Sequence, residues 1–134
     1  MGLGRVLVVD DEPDIRTSVR MILSKAGYDV IEAEDGEKGI AAVRSGDNPL
    51  LLNAIICDLQ MPKINGMEAI TFFRAQFPSV PVIVLTGTGT IDKARTLFKQ
   101  GVMDFLIKPI ESAKLTEAVS KAVKQSGCKD DFKT

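Results

Sequence analysis

The chain has 134 residues, 45% of them apolar and 26% charged, with a formal charge of −1 and no histidine. That length suits one domain with its own core, and the balanced charge, without a basic run, lacks the electrostatic footprint that nucleic acid or an anionic membrane requires. Without histidine there is no Ser-His-Asp or Cys-His catalysis, no histidine-ligated zinc and no phosphohistidine donor, so any chemistry must come from carboxylates, hydroxyls and lysine.

The first apolar run, "RVLVVD" at 5–10, is short and turns acidic at once, which excludes a secretory h-region or membrane span and predicts a strand. Behind "EPD" the residues Ile15, Val19, Ile22 and Ala26 recur at helical spacing, with Pro13 suited to the first turn and Gly27 to the stop. "YDVIEA" at 28–33 reads as a second strand, followed by a helix over about 36–45. "LNAIICD" at 52–58 is the third strand, and a helix follows over about 66–76. "PVIVLT" at 81–86 and "VMDFLIK" at 102–108 are the fourth and fifth strands, separated by a helix over about 91–100. In the last helix Leu115, Ala118, Val119, Ala122 and Val123 form one apolar stripe, and Gly127 is expected to end it. Five β-α units in strict alternation, with strands apolar on both faces, predict a parallel sheet covered by helices on each side. The expected division is one domain over 1–126 and a polar tail, or the start of a linker, over 127–134. Cys57, inside an apolar run, and Cys128, near the end, do not make a disulfide framework, and a reducing cytoplasm is expected.

The polar residues gain meaning from this scheme. Asp10 and Asp11 end the first strand, Asp58 the third, Thr86 the fourth and Lys108 the fifth. In a parallel sheet these carboxyl ends share one edge, where open α/β sheets bind ligands. Three neighbouring carboxylates repel one another unless a cation or proton relieves them, and magnesium, with its preference for oxygen, is the natural relief. Lys108 adds a compact cation and Thr86 a hydroxyl, which together describe a phosphoryl site whose candidate nucleophile is the carboxylate of Asp58. Each motif also has a plain structural reading. "DDE" can cap a helix, "LTGTGT" at 85–90 can be a flexible loop, and "KP" at 108–109 can be a solvated lysine before a turn. Those readings leave unexplained why all of them fall at strand ends.

The motifs "VLVVDDE", "IICDLQMPKINGME", "VIVLTG" and "DFLIKP" resemble the receiver domain of two-component response regulators over about residues 4–125. The resemblance implies a flavodoxin-like (βα)5 fold, an α/β three-layer sandwich whose five-stranded parallel sheet has the order 2-1-3-4-5. It implies that Asp58 accepts a phosphoryl group from a histidine kinase or histidine phosphotransfer protein. Asp11 and Asp58 would ligate Mg2+, Asp10 would act mainly through a metal-bound water, and the backbone carbonyl of Gln60 would be a further ligand. Lys108 and Thr86 would contact phosphoryl oxygens. Movement of Thr86 would be coupled to inward rotation of Phe105, reshaping the surface of the fourth helix, fifth strand and fifth helix. The other reading of Phe105 is simple core packing. Gln60 and Thr88 fall at variable positions bordering the phosphoryl group, and Gly87 leaves the pocket open to small donors. Gly89 should leave its loop mobile, while Pro62 and Gly66 match the loop after the acceptor, where glycine can take a conformation most residues avoid.

The implied function is a cytoplasmic phosphorylation-controlled switch of protein binding, not an enzyme acting on an outside substrate. Its output would be a downstream protein or an effector domain missing from this chain, with a phosphorylation-linked homodimer as a further arrangement and no direct contact with nucleic acid or membrane. An Asp-nucleophile phosphatase would need an Asp where Gln60 stands. An FMN binder would need a phosphate-cradling loop where "DDEPD" stands.

Overall fold

A computed structural model describes residues 3–59, 61, 66–87 and 91–131. The strands are β1 (Arg5–Val9), β2 (Asp29–Ala33), β3 (Leu52–Cys57), β4 (Val82–Thr86) and β5 (Asp104–Ile107). The helices are α1 (Pro13–Lys25), α2 (Gly36–Arg44), α3 (Gly66–Gln76), α4 (Ile91–Lys99) and α5 (Ser112–Asp131), and a single helical turn, Asn48–Leu51, precedes β3. All strand pairs are parallel, in the order β2-β1-β3-β4-β5. The order that the resemblance implied is therefore the observed one, and the fold is the flavodoxin-like three-layer sandwich.

Side chains of a strand alternate between its faces, and here that alternation divides the core in two. Leu7, Val9, Ile55, Cys57, Val82 and Val84 point to one side, where Val43 of α2, Ala69, Ile70 and Phe73 of α3, and Leu97 of α4 cover them. Val6, Val8, Ala54, Ile56, Ile83 and Leu85 point to the other, against Val19 and Leu23 of α1 and Leu115, Ala118, Val119 and Ala122 of α5. The predicted α5 stripe is the buried one. In α1 the fully buried residues are Val19 and Leu23, with Ile15, Ile22 and Ala26 packed alongside.

Local signals set the helix ends. Pro13 stands in the first turn of α1, and Gly27, just past its end, has φ +102°, a conformation that favours glycine. Asp35 caps α2 by accepting from the Lys38 amide at 2.8 Å.

Three expectations are corrected. Each strand is shorter than its apolar run by one to three residues, as Asp10, Tyr28, Asp58, Pro81, Val102, Met103 and Lys108 lie outside the ladder. The helix α5 does not end at Gly127 but runs to Asp131. A single glycine costs a helix about 1 kcal/mol, too little to stop one that packing has already nucleated. The turn Asn48–Leu51 was not expected, since four residues are too few to carry a helical period.

Candidate functional site

The register brings the ends of β1 and β3 level. Val9 pairs with Cys57, so Asp10 and Asp58 are the next residues on adjacent strands. The Asp10 amide donates to Ala33 O at 3.1 Å and the Asp58 amide to Val9 O at 2.9 Å, which holds both backbones at the rim. Beyond β4 and β5, the Lys108 amide donates to Thr86 O at 2.8 Å. The five residues singled out at strand ends therefore lie along one edge.

Their side chains are unequally buried. Asp10, Asp58 and Thr86 are 1%, 3% and 0% exposed, whereas Asp11 is exposed. The Lys108 ammonium reaches Glu12 Oε1 at 2.9 Å, Asp10 Oδ2 at 3.0 Å and Asp58 Oδ2 at 3.3 Å. One carboxylate oxygen from each of Asp10, Asp11, Glu12 and Asp58 lies within 4.8 Å of every other. Four carboxylates thus face one ammonium. Burial pushes the Asp10 carboxyl above its usual range, the Glu12 amide and Lys108 pull it back, and the neighbouring Asp58 pushes it up again. Burial also works against the charged form of Lys108, but its bonds to Glu12 and Asp10 and the field of Asp58 outweigh it and raise its pKa. Hard oxygen donors at this spacing, with negative charge in excess, fit a magnesium ion.

Several neighbours support this edge. Arg16 Nη1 donates to the Asp10 carbonyl at 2.6 Å, while its Nε lies 3.4 Å from Glu32 Oε1, tying the β1 loop to β2. Gly66 opens α3 against the backbone just past β3: a Cβ there would lie 2.1 Å from the Asp58 carbonyl oxygen and 2.4 Å from Leu59 Cα. Its φ is not among the positive ones, so close approach rather than an unusual conformation is what requires glycine here, a correction to the expectation. A Cβ at Gly87 would meet nothing within 4 Å, in keeping with an open entrance. Cys57 is wholly buried among the α2–α4 side of the core, and burial pushes its thiol up, so it is an inert core residue. Phe105, three residues before Lys108, is half-buried. It packs against the same side of the core and lines a cleft of about 170 Å3 with Leu106, Ile110 and Leu115.

With this geometry in view, the comparisons with known proteins are decisive. The family model "Response regulator receiver domain" matches residues 6–120. The chain belongs to the response regulator receiver domain family. Among curated relatives, the transcriptional regulatory protein GlrR of Escherichia coli (strain K12) is 33% identical over 92% of this chain but only 27% of its own length. The transcriptional regulatory protein FixJ of Bradyrhizobium diazoefficiens is 30% identical over 92% of this chain and 58% of its own. The receiver domain here thus spans a quarter to somewhat over half of those proteins. A response regulator receiver domain protein from Clostridium thermocellum superposes with a TM-score of 0.86 at 29% identity, covering 93% of this chain and 98% of that one. The chemotaxis protein CheY4 of Vibrio cholerae gives 0.79 at 29% identity, covering 89% and 98%. Receiver domains are signalling domains. No helix among the described residues of this one is long and apolar enough to cross a membrane.

The structure brings Asp10, Asp11, Asp58 and Lys108 together and sets Thr86 on the adjoining strand end. Gln60, Pro62, Thr88 and Gly89 lie outside the described residues. Sequence reasoning missed Glu12 as a member of this cluster. Its signal was in plain view in "DDE", but there it read as helix capping. Glu12 does stand at the N-cap of α1, yet its side chain makes no capping hydrogen bond and turns to Lys108 instead.

Proposed function

We propose that this receiver domain accepts a phosphoryl group on Asp58 from a histidine kinase or histidine phosphotransfer protein and uses it to change what it binds. The observation that carries the reading is the Lys108 ammonium 3.3 Å from Asp58 Oδ2, at the edge of a carboxylate cluster too negative to be explained by packing. In this reading an Asp58 oxygen attacks phosphorus, the bond to the donor breaks with its electron pair leaving on the donor, and Asp58 becomes an acyl phosphate. Lys108 supplies positive charge to the transferred oxygens, and the Thr86 hydroxyl donates to another of them. Asp10, Asp11 and Asp58, with the backbone carbonyl of Gln60, would hold Mg2+. When bound, the ion supplies further charge stabilisation to the transferring group.

The output in this reading is the surface of α4, β5 and α5, reached through Thr86 and Phe105. Phosphorylation biases two arrangements of that surface by their differential contacts. The partner is a downstream protein or an effector domain, with a phosphorylation-linked homodimer as one form of the response. Residues 127–134, whose first five continue α5 to Asp131, serve as a tail or the start of a linker, and the setting is the cytoplasm. Besides its own phosphorylation and dephosphorylation the domain catalyses nothing.

The test is direct. Incubated with magnesium and acetyl phosphate, the protein should gain one phosphoryl mass, and Asp58→Asn should abolish the gain. Equal labelling of that variant would remove Asp58 from the role.

A further inference from the structure

Lys108 has three N–H donors, and three carboxylates lie within reach of them: Glu12 at 2.9 Å, Asp10 at 3.0 Å and Asp58 at 3.3 Å. Two of these acceptors are anchored. Asp10 and Asp58 follow strands, and their side chains are 1% and 4% exposed. Glu12 is different. Its side chain is 57% exposed, and its backbone is held separately, by the hydrogen bond its amide donates to Asp10 Oδ1 at 2.9 Å. Releasing the Glu12 carboxylate from Lys108 returns it to water, whereas releasing Asp10 takes the ammonium away from a carboxylate that is itself buried. Any anion that arrives at Asp58 and draws on Lys108 therefore displaces Glu12 first.

We propose that Glu12 is a positioning residue that holds Lys108 before phosphorylation and, through its charge at the mouth of the site, sets which small phosphodonors Asp58 accepts. The proposal rests on the phosphoacceptor reading above. Two features of the site give it force. A Cβ at Gly87 would meet nothing within 4 Å, and Glu12 is the exposed member of the three carboxylates on Lys108, so its charge faces solvent beside Asp58. A donor carrying two negative charges meets more repulsion from Glu12, and competes with it for Lys108, more than a donor carrying one.

Acetyl phosphate is a dianion at neutral pH, and phosphoramidate carries one net negative charge. In both reactions Asp58 Oδ forms the bond to phosphorus; acetate leaves with the electrons of the broken P–O bond, or ammonia with those of the broken P–N bond. The measurement is the rate of phosphoryl mass gain with each donor at saturating Mg2+, for the wild type, Glu12→Gln and Glu12→Asp. The ratio of the acetyl phosphate rate to the phosphoramidate rate should rise about threefold in Glu12→Gln, the size expected for one exposed charge. It should stay at the wild-type value in Glu12→Asp, which keeps the charge. A general disturbance of the fold would scale both rates and leave the ratio alone. An unchanged ratio in Glu12→Gln, or the same shift in both variants, would overturn the role of Glu12 while leaving Asp58 as acceptor. Absence of labelling in the wild type with either donor would overturn the phosphoacceptor reading, and this inference with it.

Discussion

At the amino end of β1, Arg5 Nη1 donates to Asp47 Oδ1 and Asn48 Oδ1, both at 2.8 Å, and its amide donates to Asn53 Oδ1 at 2.9 Å. One cation meets one anion there, Asp47 is 64% exposed, and the bond from Arg5 holds its carboxyl below the usual range. At the carboxyl end of the same strand, three carboxylates share one lysine, Asp11 adds a fourth to the cluster, and burial drives Asp10 in the opposite direction. The amino end is arranged as folding alone would arrange it, with charge balanced and hydrated. The carboxyl end keeps a surplus of negative charge with Asp10 and Asp58 buried and Asp11 and Glu12 exposed, an arrangement that fits the proposed cation and phosphoryl site.

The sharpest way to break this contrast is through glycine. Gly66 at the rim and Gly46 near the start of the single helical turn are both places where a methyl group tests the backbone. At Gly46 the cost of alanine is conformational, since φ is +53° and a Cβ would meet nothing within 4 Å. That substitution should cost about 1 kcal/mol. At Gly66 the methyl would sit 2.1 Å from a backbone oxygen, and the Asp58–Leu59 backbone or α3 must move. Gly66→Ala should cost at least about 3 kcal/mol in urea denaturation and slow the labelling of Asp58 as well. Similar losses at the two positions would mean that the acceptor loop yields easily and that the rim is not rigidly built.

Cation binding comes next in size. Magnesium at tenfold its dissociation constant should stabilise the protein by about 1.4 kcal/mol, seen as a rise in melting temperature. In Asp10→Asn the metal-free protein should itself melt a few degrees higher than wild type, because the change removes a buried charge from a crowded cluster while keeping one acceptor oxygen, for the Glu12 amide or for Lys108. The pH dependence follows with a definite sign. The folded-state pKa of Asp10 lies above its ordinary 3.8, so its destabilising effect is complete only at pH above that folded value. That effect fades as pH falls through the folded value and vanishes below the ordinary one. Asp10→Asn should erase this part of the pH profile. A lower melting temperature for the variant would mean that Lys108 compensates the charge fully.

The fold was legible where periodicity and punctuation agree. The nearly continuous apolar runs of β1, β3 and β4 already encoded two covered faces, and Pro13, Gly27 and the α5 stripe marked helices that the structure retains. Strand order was not legible from pattern, because which strands pair is decided by tertiary contacts; the resemblance supplied it. At the site, Asp10, Asp11, Asp58, Thr86 and Lys108 could be read from their positions at strand ends. Glu12 could not, since an exposed acid at a helix start can cap or turn away, and its partner Lys108 lies 96 residues along the chain. Gly66 was noticed for the wrong reason: a contact with the Asp58 carbonyl leaves no trace in local sequence.

The smallest expected effect belongs to the amino end. Asp47→Ala removes one partner of an exposed ion pair, and Arg5 retains Asn48, so the melting temperature should fall by only about 1 °C. Because the Asp47 carboxyl is lowered by its bond to Arg5, its contribution is present above the ordinary 3.8 and is lost as pH falls through the folded value, the reverse of Asp10. Salt offers a second separation of the two ends. At 1 M ionic strength the Asp47 effect should disappear, while the gain from Asp10→Asn should persist, since screening acts on hydrated charges and little on buried ones. If salt removed both effects alike, the carboxylates at the rim would be hydrated like any surface acid, and the difference between the two ends would be one of composition only.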